Sequence, residues 1–416
     1  MAAVNLGPWP AGMNNIAPEH ALPTSKYGRT IAARNAVNVD FDDSGKVRRR
    51  KGFTPFASIV GAHSLWSGVG AGAAAFFVAA DVLYSFDGAT SHALGAVNTG
   101  GDRLAYEGVN ASVYFTCPMA RGMVRGGVLM PWGVEVPTTP PTLAVSAGNL
   151  DAGKYFAAMT YVLADGRESG ASQLMSASLD APGGFAVVAM PVPLAAEVVK
   201  KRLYLSTADG DVLYLAMEAA PSDQFAAIGS APSGNELRTA YLSPPPLGHA
   251  LAHLDARLFI ADGNIVWYTE PHDYDHVDTR KNFYQFGADV SVLAAVKDGL
   301  YVCADRTYFI PGAGGKNAEQ LEVLDFGAFA GTAQRVPKSN DSIWMSERGP
   351  VVATAGGSVE VLSADSLSPG KMEGAASLVR ESDGLRQFIT VGRAAEGSSL
   401  QASSYADAEV VRKANR

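Results

Sequence analysis

The segment His272-Asp273-Tyr274-Asp275-His276-Val277-Asp278 gathers two imidazoles and three carboxylates, the one cluster of potential metal ligands in the chain. Such groups bind a cation when a loop turns them onto one centre. The cluster follows an apolar strand and Thr269-Glu270-Pro271, so it reads as a polar loop between strands. Use in packing or at an interface is therefore preferred to metal binding, and metal binding to catalysis. His272, Asp273, Asp275, His276 and Asp278 stand as weak candidate ligands. No metal, cofactor or catalytic residue is assigned.

Other chemistry is sparse. Gly68-Val69-Gly70-Ala71-Gly72 and Gly312-Ala313-Gly314-Gly315 lack the Lys-Ser/Thr or strand-to-helix setting of a phosphate loop, so they read as turns. No nucleophile elbow, dinucleotide fingerprint or zinc-protease motif appears. Asp42 and Asp43 sit with Gly45 in a turn, where Asp serves the backbone. The two cysteines, Cys117 and Cys303, lie in apolar runs and read as buried thiols. Trp267, Tyr268, Tyr274, Phe283, Tyr284 and Phe286 crowd one region. Strand alternation puts Ile265 and Trp267 on one face and Val266 and Tyr268 on the other, which suits packing between sheets better than a sugar platform.

The elements that must position these residues repeat one hairpin pattern. Arg257–Tyr268 is an apolar strand, an Asp-Gly turn and a second apolar strand with aromatics. Looser copies are Phe76–Gly88, Gly299–Ile310 and Pro350–Leu362. Hairpins that cannot each bury a face must stack on others, and a propeller is the commonest solution. Before the first copy, Ala36–Phe41 and Lys46–Phe53 form a hairpin whose second strand carries Arg48, Arg49, Arg50 and Lys51. These cations read as an edge strand blocked against pairing, or as a contact to phosphate or an acidic neighbour.

Between Pro137-Thr138-Thr139-Pro140-Pro141 and Pro244-Pro245-Pro246 the pattern changes. A long strand through Thr160-Tyr161-Val162, the turn Asp165 to Ser169 and the strand Arg202-Leu203-Tyr204 resemble a fibronectin type III-like or immunoglobulin-like module. The absence of an inter-sheet cysteine pair favours the fibronectin-like variety. The expected fold is all-β: a β-propeller of about five blade-like units, interrupted by an inserted β-sandwich. The expected domains are an extended arm (1–33), a first propeller part (34–137), the sandwich (138–246), a second propeller part (247–395) and a tail (396–416).

The chain has 416 residues, 47% hydrophobic and 18% charged, with a formal net charge of −8. That is a core-forming composition, and its acidity argues against a generic nucleic-acid binder. It leaves room for a channel whose negative wall lets DNA slide. Met1 to Pro10 has no basic stretch followed by an apolar run, so no secretory leader is read. No apolar run reaches the roughly 18 residues of a membrane helix.

Gly12-Met13-Asn14-Asn15-Ile16-Ala17-Pro18-Glu19, continuing to Pro23, is followed by Ala33-Arg34-Asn35-Ala36-Val37-Asn38-Val39-Asp40, a short turn and Gly45-Lys46-Val47-Arg48-Arg49-Arg50-Lys51-Gly52-Phe53. This pattern, with the strand Leu300 to Gly312, resembles virion proteins of tailed bacteriophages, in particular the β-propeller nozzle or hub proteins of short-tailed phages. The resemblance implies a non-enzymatic structural subunit in the virion tail, assembled in the host cytoplasm. It implies a hexameric ring below the head-to-tail adaptor, around a channel through which DNA passes without sequence recognition. Fibres or a plug would dock on the sandwich or blade loops. Arg48, Arg49, Arg50, Lys51, Trp9 and Tyr274 are the candidate interface residues. The alternative is a carbohydrate-binding or glycan-cleaving propeller, with Asp273, Asp275 and Asp278 as its best carboxylates.

Overall fold

The computed structural model describes residues 8–395, apart from 35, 37, 38, 42–44, 50–58, 69–72, 383 and 384. The fold is all-β and of the β-propeller class, and the described residues form five four-stranded antiparallel meanders as blades. The first blade is His63–Trp66, Ala75–Ala79, Val82–Phe86 and Ser91–Ala96. The second is Ala105–Val109, Ser112–Thr116, Arg121–Arg125 and Val128–Met130. The third is Ala250–Leu254, Arg257–Asp262, Ile265–Tyr268 and Phe283–Gln285. The fourth is Val292–Val296, Gly299–Cys303, Thr307–Pro311 and Leu321–Leu324. The fifth is Gln334–Arg335, Ser342–Ser346, Gly349–Ala353 and Val359–Val361.

Ala75–Ala79, Ser112–Thr116, Gly299–Cys303 and Ser342–Ser346 are buried at every position. A strand covered on both faces needs an unbroken apolar run rather than alternation, which is what Phe76-Phe77-Val78 and Leu300-Tyr301-Val302 supply. Burying both faces of such strands is the main source of stability here, at about 25 cal/mol per Å² of apolar surface removed from water. Tight turns close the hairpins: Ala80 and Asp81, and Asp255 and Ala256, all have positive φ, the backbone of a two-residue primed turn. Ala at such a φ is strained, so Ala256→Gly is expected to raise stability by up to about 1 kcal/mol. An unchanged or lower melting temperature would contradict this.

The chain divides into two compact units: His63–Asp262 with Val266–Tyr284, and Met1–Ala62 with Gly263–Ile265 and Gln285–Arg416. In the first, Phe76 and Leu83 of the first blade share one core with Tyr106, Val113 and Phe115 of the second. Tyr114, Met123 and Trp132 share another with Leu258 and Ile260 of the third. In the second unit, Tyr301 and Phe309 of the fourth blade pack against Trp344 and Val351 of the fifth. Two further hairpins accompany these blades, a short one, Val39–Phe41 with Val47–Arg49, and a long one, Met372–Ser382 with Leu385–Ala394.

Within the first unit lies a seven-stranded sandwich. Thr142–Leu150, Gly183–Ala189 and Ala226–Ile228 form one sheet. Met175–Leu179, Gly153–Leu163, Val198–Ser206 and Leu213–Ala219 form the other, in that spatial order. The inward faces meet in one core containing Tyr155, Met159, Phe185, Leu203 and Ile228. No described helix is long and apolar enough to cross a membrane.

Candidate interaction sites at the sandwich junction and the arm

Four segments interlock where the sandwich meets the third blade: 131–135, 165–170, 241–245 and 272–278. The strand Gly153–Leu163 runs into the turn at Gly166, whose φ is +86°. That turn presents Arg167 and Glu168 to the loop that follows Ile265–Tyr268. The Arg167 guanidinium donates to Asp275 Oδ1 at 3.0 Å, to the Pro131 carbonyl at 2.7 Å and to Asp165 Oδ2 at 2.7 Å. Asp275 Oδ1 also accepts from the Gly133 amide at 2.9 Å. Both partners of the Arg167–Asp275 pair are largely shielded, their side chains 12% and 13% exposed.

The backbones are as close as the side chains. Ser243 and Val277 exchange amide-to-carbonyl hydrogen bonds of 3.0 and 2.9 Å. Trp132 is buried and donates from Nε1 to the Tyr274 carbonyl at 2.7 Å. Gly133 has a φ of +78°, and a Cβ there would lie 2.7 Å from Pro244 Cβ. The proline joint is thus a packed seam within this unit rather than a free linker.

His276, 5% exposed, is the titratable centre of the junction. Its Nδ1 lies 2.7 Å from Asp273 Oδ2 and its Nε2 lies 2.8 Å from the Glu168 carbonyl. Both neighbours are acceptors, so both ring nitrogens are served best as donors, which is the imidazolium. Burial pulls its pKa down. The Asp273 hydrogen bond, the charges of Asp273 and Asp275 and the Glu168 carbonyl outweigh that, and the pKa lies above the ordinary value. A raised histidine pKa stabilises the fold below the unfolded value of about 6.5 and loses that contribution as pH rises through the folded value. The stability difference between the native chain and His276→Gln should therefore shrink as pH rises from 5.5 to 8.5, read by thermal unfolding. A constant difference would contradict the imidazolium.

Glu168 links the junction to the sandwich face. Its Oε1 accepts from Thr160 Oγ1 at 2.5 Å and Tyr204 OH at 2.7 Å, and its Oε2 meets Arg202 Nη1 at 2.5 Å. Arg202 continues to Glu218 at 2.9 Å, which Lys200 also meets at 2.9 Å. Neither Arg167 nor Glu168 was singled out in the sequence as a site residue. The signal available was the alternating charge of Asp165-Gly166-Arg167-Glu168 on a turn.

Of the candidate ligands only Asp273 and His276 meet, and the others are turned to different partners. Asp273 serves His276, Asp275 serves Gly133 and Arg167, and Asp278 binds Arg280 at 2.9 and 2.7 Å. His272 is exposed, with its amide bonded to the Ala256 carbonyl. Among the described residues no three His, Cys, Asp or Glu side chains converge on a point where a metal could sit. Tyr274, a candidate interface residue, is half-buried and packs against Tyr114 and Trp132 of its own unit. Trp267 pairs with Phe283 and Tyr268 with Tyr284, at 5.5 and 5.3 Å between ring centroids. Both cysteines are buried and free, and burial pushes the Cys303 thiol up to about 12, a poor nucleophile.

The arm forms a second site in the other unit. Trp9 is half-buried, edge-on to Phe41 at 6.3 Å, and its amide donates to the Gly45 carbonyl at 2.7 Å. Gly45 permits that approach: its φ is +75° and a Cβ would fall 2.3 Å from Pro10 N. Asn14 Oδ1 accepts from the amides of Ile16 and Ala17, shaping the arm's turn. Asn15 exchanges two hydrogen bonds with the Ser368 backbone, 2.8 and 2.9 Å. Of the basic strand, Arg49 is exposed and Arg48 pairs in register with Asp40. Arg50 and Lys51 lie outside the described residues.

No family model matches the sequence, and a search of curated proteins finds no match. Among solved structures, the chain is similar to BBS1N crystallised in complex with ARL6DN, with 13% identity, a TM-score of 0.33, and 82% of this chain and 93% of that one covered. It is also similar to the Pan2 WD40 domain of Neurospora crassa, with 11% identity, a TM-score of 0.28, and coverage of 71% and 75%. Similarity at this level says nothing of ligand, partner or activity.

Proposed function

We propose that this chain is an architectural, non-enzymatic subunit of a tailed-bacteriophage virion, a ring-forming component of the tail nozzle or hub. The observation that supports this reading is the fastening of the arm. Gly12-Met13-Asn14-Asn15, part of the pattern that carries the phage resemblance, has side chains that help tie the arm to its unit. Asn15 clasps Ser368, and Met13 packs on the core around Met345 and Phe388. A motif spent on seating an extended arm suits a part built for assembly. In the ring, copies would surround the DNA channel below the head-to-tail adaptor. The sandwich, read as a fibronectin-like module, would dock fibres or a plug from a rigid seat on the third blade.

The glycan-processing alternative is weakened by the same geometry. Its carboxylates, Asp273, Asp275 and Asp278, are engaged by His276, Arg167 and Arg280. The test is the mass of the purified chain by light scattering, alone and with its adaptor. A stable symmetric oligomer is expected. A chain that stays monomeric under both conditions would overturn the ring.

A further inference from the structure

One side of the sandwich is open. Among the described residues, Thr142–Leu150 pairs along one edge only, with Gly183–Ala189. Met175–Leu179 of the other sheet lies beside it and also pairs along one edge only, with Gly153–Leu163. Residues opposed in an antiparallel pair share a face of the sheet. Leu143 stands opposite Val187, and Val145 opposite Phe185. Leu143, Val187 and Phe185 are buried in the sandwich core, so Val145 points to the inner face as well, yet it is 69% exposed. Leu174, at the entry to Met175–Leu179, is 46% exposed. The core therefore reaches solvent along this side.

These two edges lack the usual protection. Sheet edges are ordinarily blunted by charges, proline, bulges, shortness or a covering segment. Neither strand holds Lys, Arg, Asp, Glu or Pro. Pairing is regular from Leu143 to Ser146, with register shifts only at its two ends. The other edges of the sandwich are protected. The Leu215 amide donates to the Asn235 carbonyl and the Leu237 amide to the Leu213 carbonyl, both at 2.9 Å, so a segment covers the start of Leu213–Ala219. Glu218 guards its end, held by Lys200 and Arg202. Ala226–Ile228 is only three residues long.

We infer that this open side accepts one extended strand of a docking protein, added to the edge at Leu143–Ser146. The edge itself names the occupant. A row of alternating N–H and C=O groups is matched by another extended backbone, and an edge without charge gives an ion or an anionic polymer nothing to hold. The residue of the added strand that opposes Val145 would be apolar and would cover it, closing the core. This rests on the reading given above, in which the sandwich docks fibres or a plug, and names the mode of docking. Two such edges from two copies would pair about a twofold axis and close a dimer, which a ring of many copies does not use.

The probe is a fluorescein-labelled synthetic peptide with the sequence of residues 183–189, the strand that Thr142–Leu150 already accepts on its other edge. Its binding to the full-length chain is read by fluorescence anisotropy, for the native protein, Val145→Lys and the control Val199→Lys. Both positions are exposed, so the fold is preserved, which circular dichroism checks. The native chain and Val199→Lys are expected to bind the peptide, with the dissociation constant raised about tenfold or more in Val145→Lys, because a charge facing the inner side of an edge blocks strand addition. Hydrogen exchange of the amides at 143–146 should slow in the native chain when the peptide is added. A native chain that does not bind the peptide, or a Val145→Lys chain that binds it equally well, overturns the edge as a docking site. If Val145→Lys instead breaks a native oligomer in sedimentation, the edge joins copies of this chain and the docking strand is overturned. The peptide assay does not depend on the oligomeric state, so the edge and the ring can fail separately.

Discussion

Replacing Asp275 by alanine is expected to lower stability by about 3 kcal/mol, the cost of leaving a shielded amide and part of a shielded guanidinium without their shared acceptor. Asp275 is the acceptor shared by Arg167 and the Gly133 amide. Its loss takes the acceptor from the Gly133 amide and one of three acceptors from the Arg167 guanidinium. Arg167 keeps Asp165 and the Pro131 carbonyl, so the sandwich should loosen from the third blade before it unfolds. Urea unfolding gives the loss, and limited proteolysis between residues 131 and 141 reports the loosening. Asp275→Asn keeps an acceptor for Gly133 and should cost less. If Asp275→Ala unfolds with the native midpoint and the seam stays protected, Asp275 does not hold the sandwich.

Gly170→Ala is expected to have an effect of similar size for a steric reason. A Cβ at Gly170 would lie 1.7 Å from the carbonyl oxygen of Leu242. The obstacle is backbone, so no rotamer change relieves it, and the two segments must part. Overpacking costs about 1–3 kcal/mol where side chains can yield, and more is expected here. Gly166→Ala is the control: nothing lies within 4 Å of its Cβ position. It should lose only the roughly 1–2 kcal/mol of a non-glycine residue at positive φ. Equal melting temperatures for the two variants would contradict the tight approach of 170 and 242.

The blades were legible in the sequence for a local reason. Arg257–Asp262 and Ile265–Tyr268, or Gly299–Cys303 and Thr307–Pro311, are adjacent apolar runs joined by turn residues, and both the signal and the pairing sit within a dozen residues. The long strand Gly153–Leu163 was legible likewise. Weaker strands were not: Ser91–Ala96 is mostly exposed and Gly-containing, and Met372–Ser382 mixes small, apolar and charged residues without alternation, so neither shows an apolar period. The junction was illegible for a different reason. Arg167 and Asp275 stand 108 positions apart, as do Glu168 and His276. Residue types at 272–278 pointed to something polar and important. Only folding shows that its partners are a sandwich turn and a proline seam.

His276 and the arm extend the same lesson to assembly. A histidine caught between two acceptors is expected to make the sandwich's seat sensitive to pH, and Asn15, bonded twice to the Ser368 backbone, ties the arm to its unit. Both fix local geometry within their own units. Cryo-electron microscopy of purified tailed virions that encode this chain tests the architectural role most directly. The expected result is a symmetric ring of density below the head-to-tail adaptor, with an axial hole, into which the blades and the sandwich fit. Purified, infectious virions that lack the chain would contradict it.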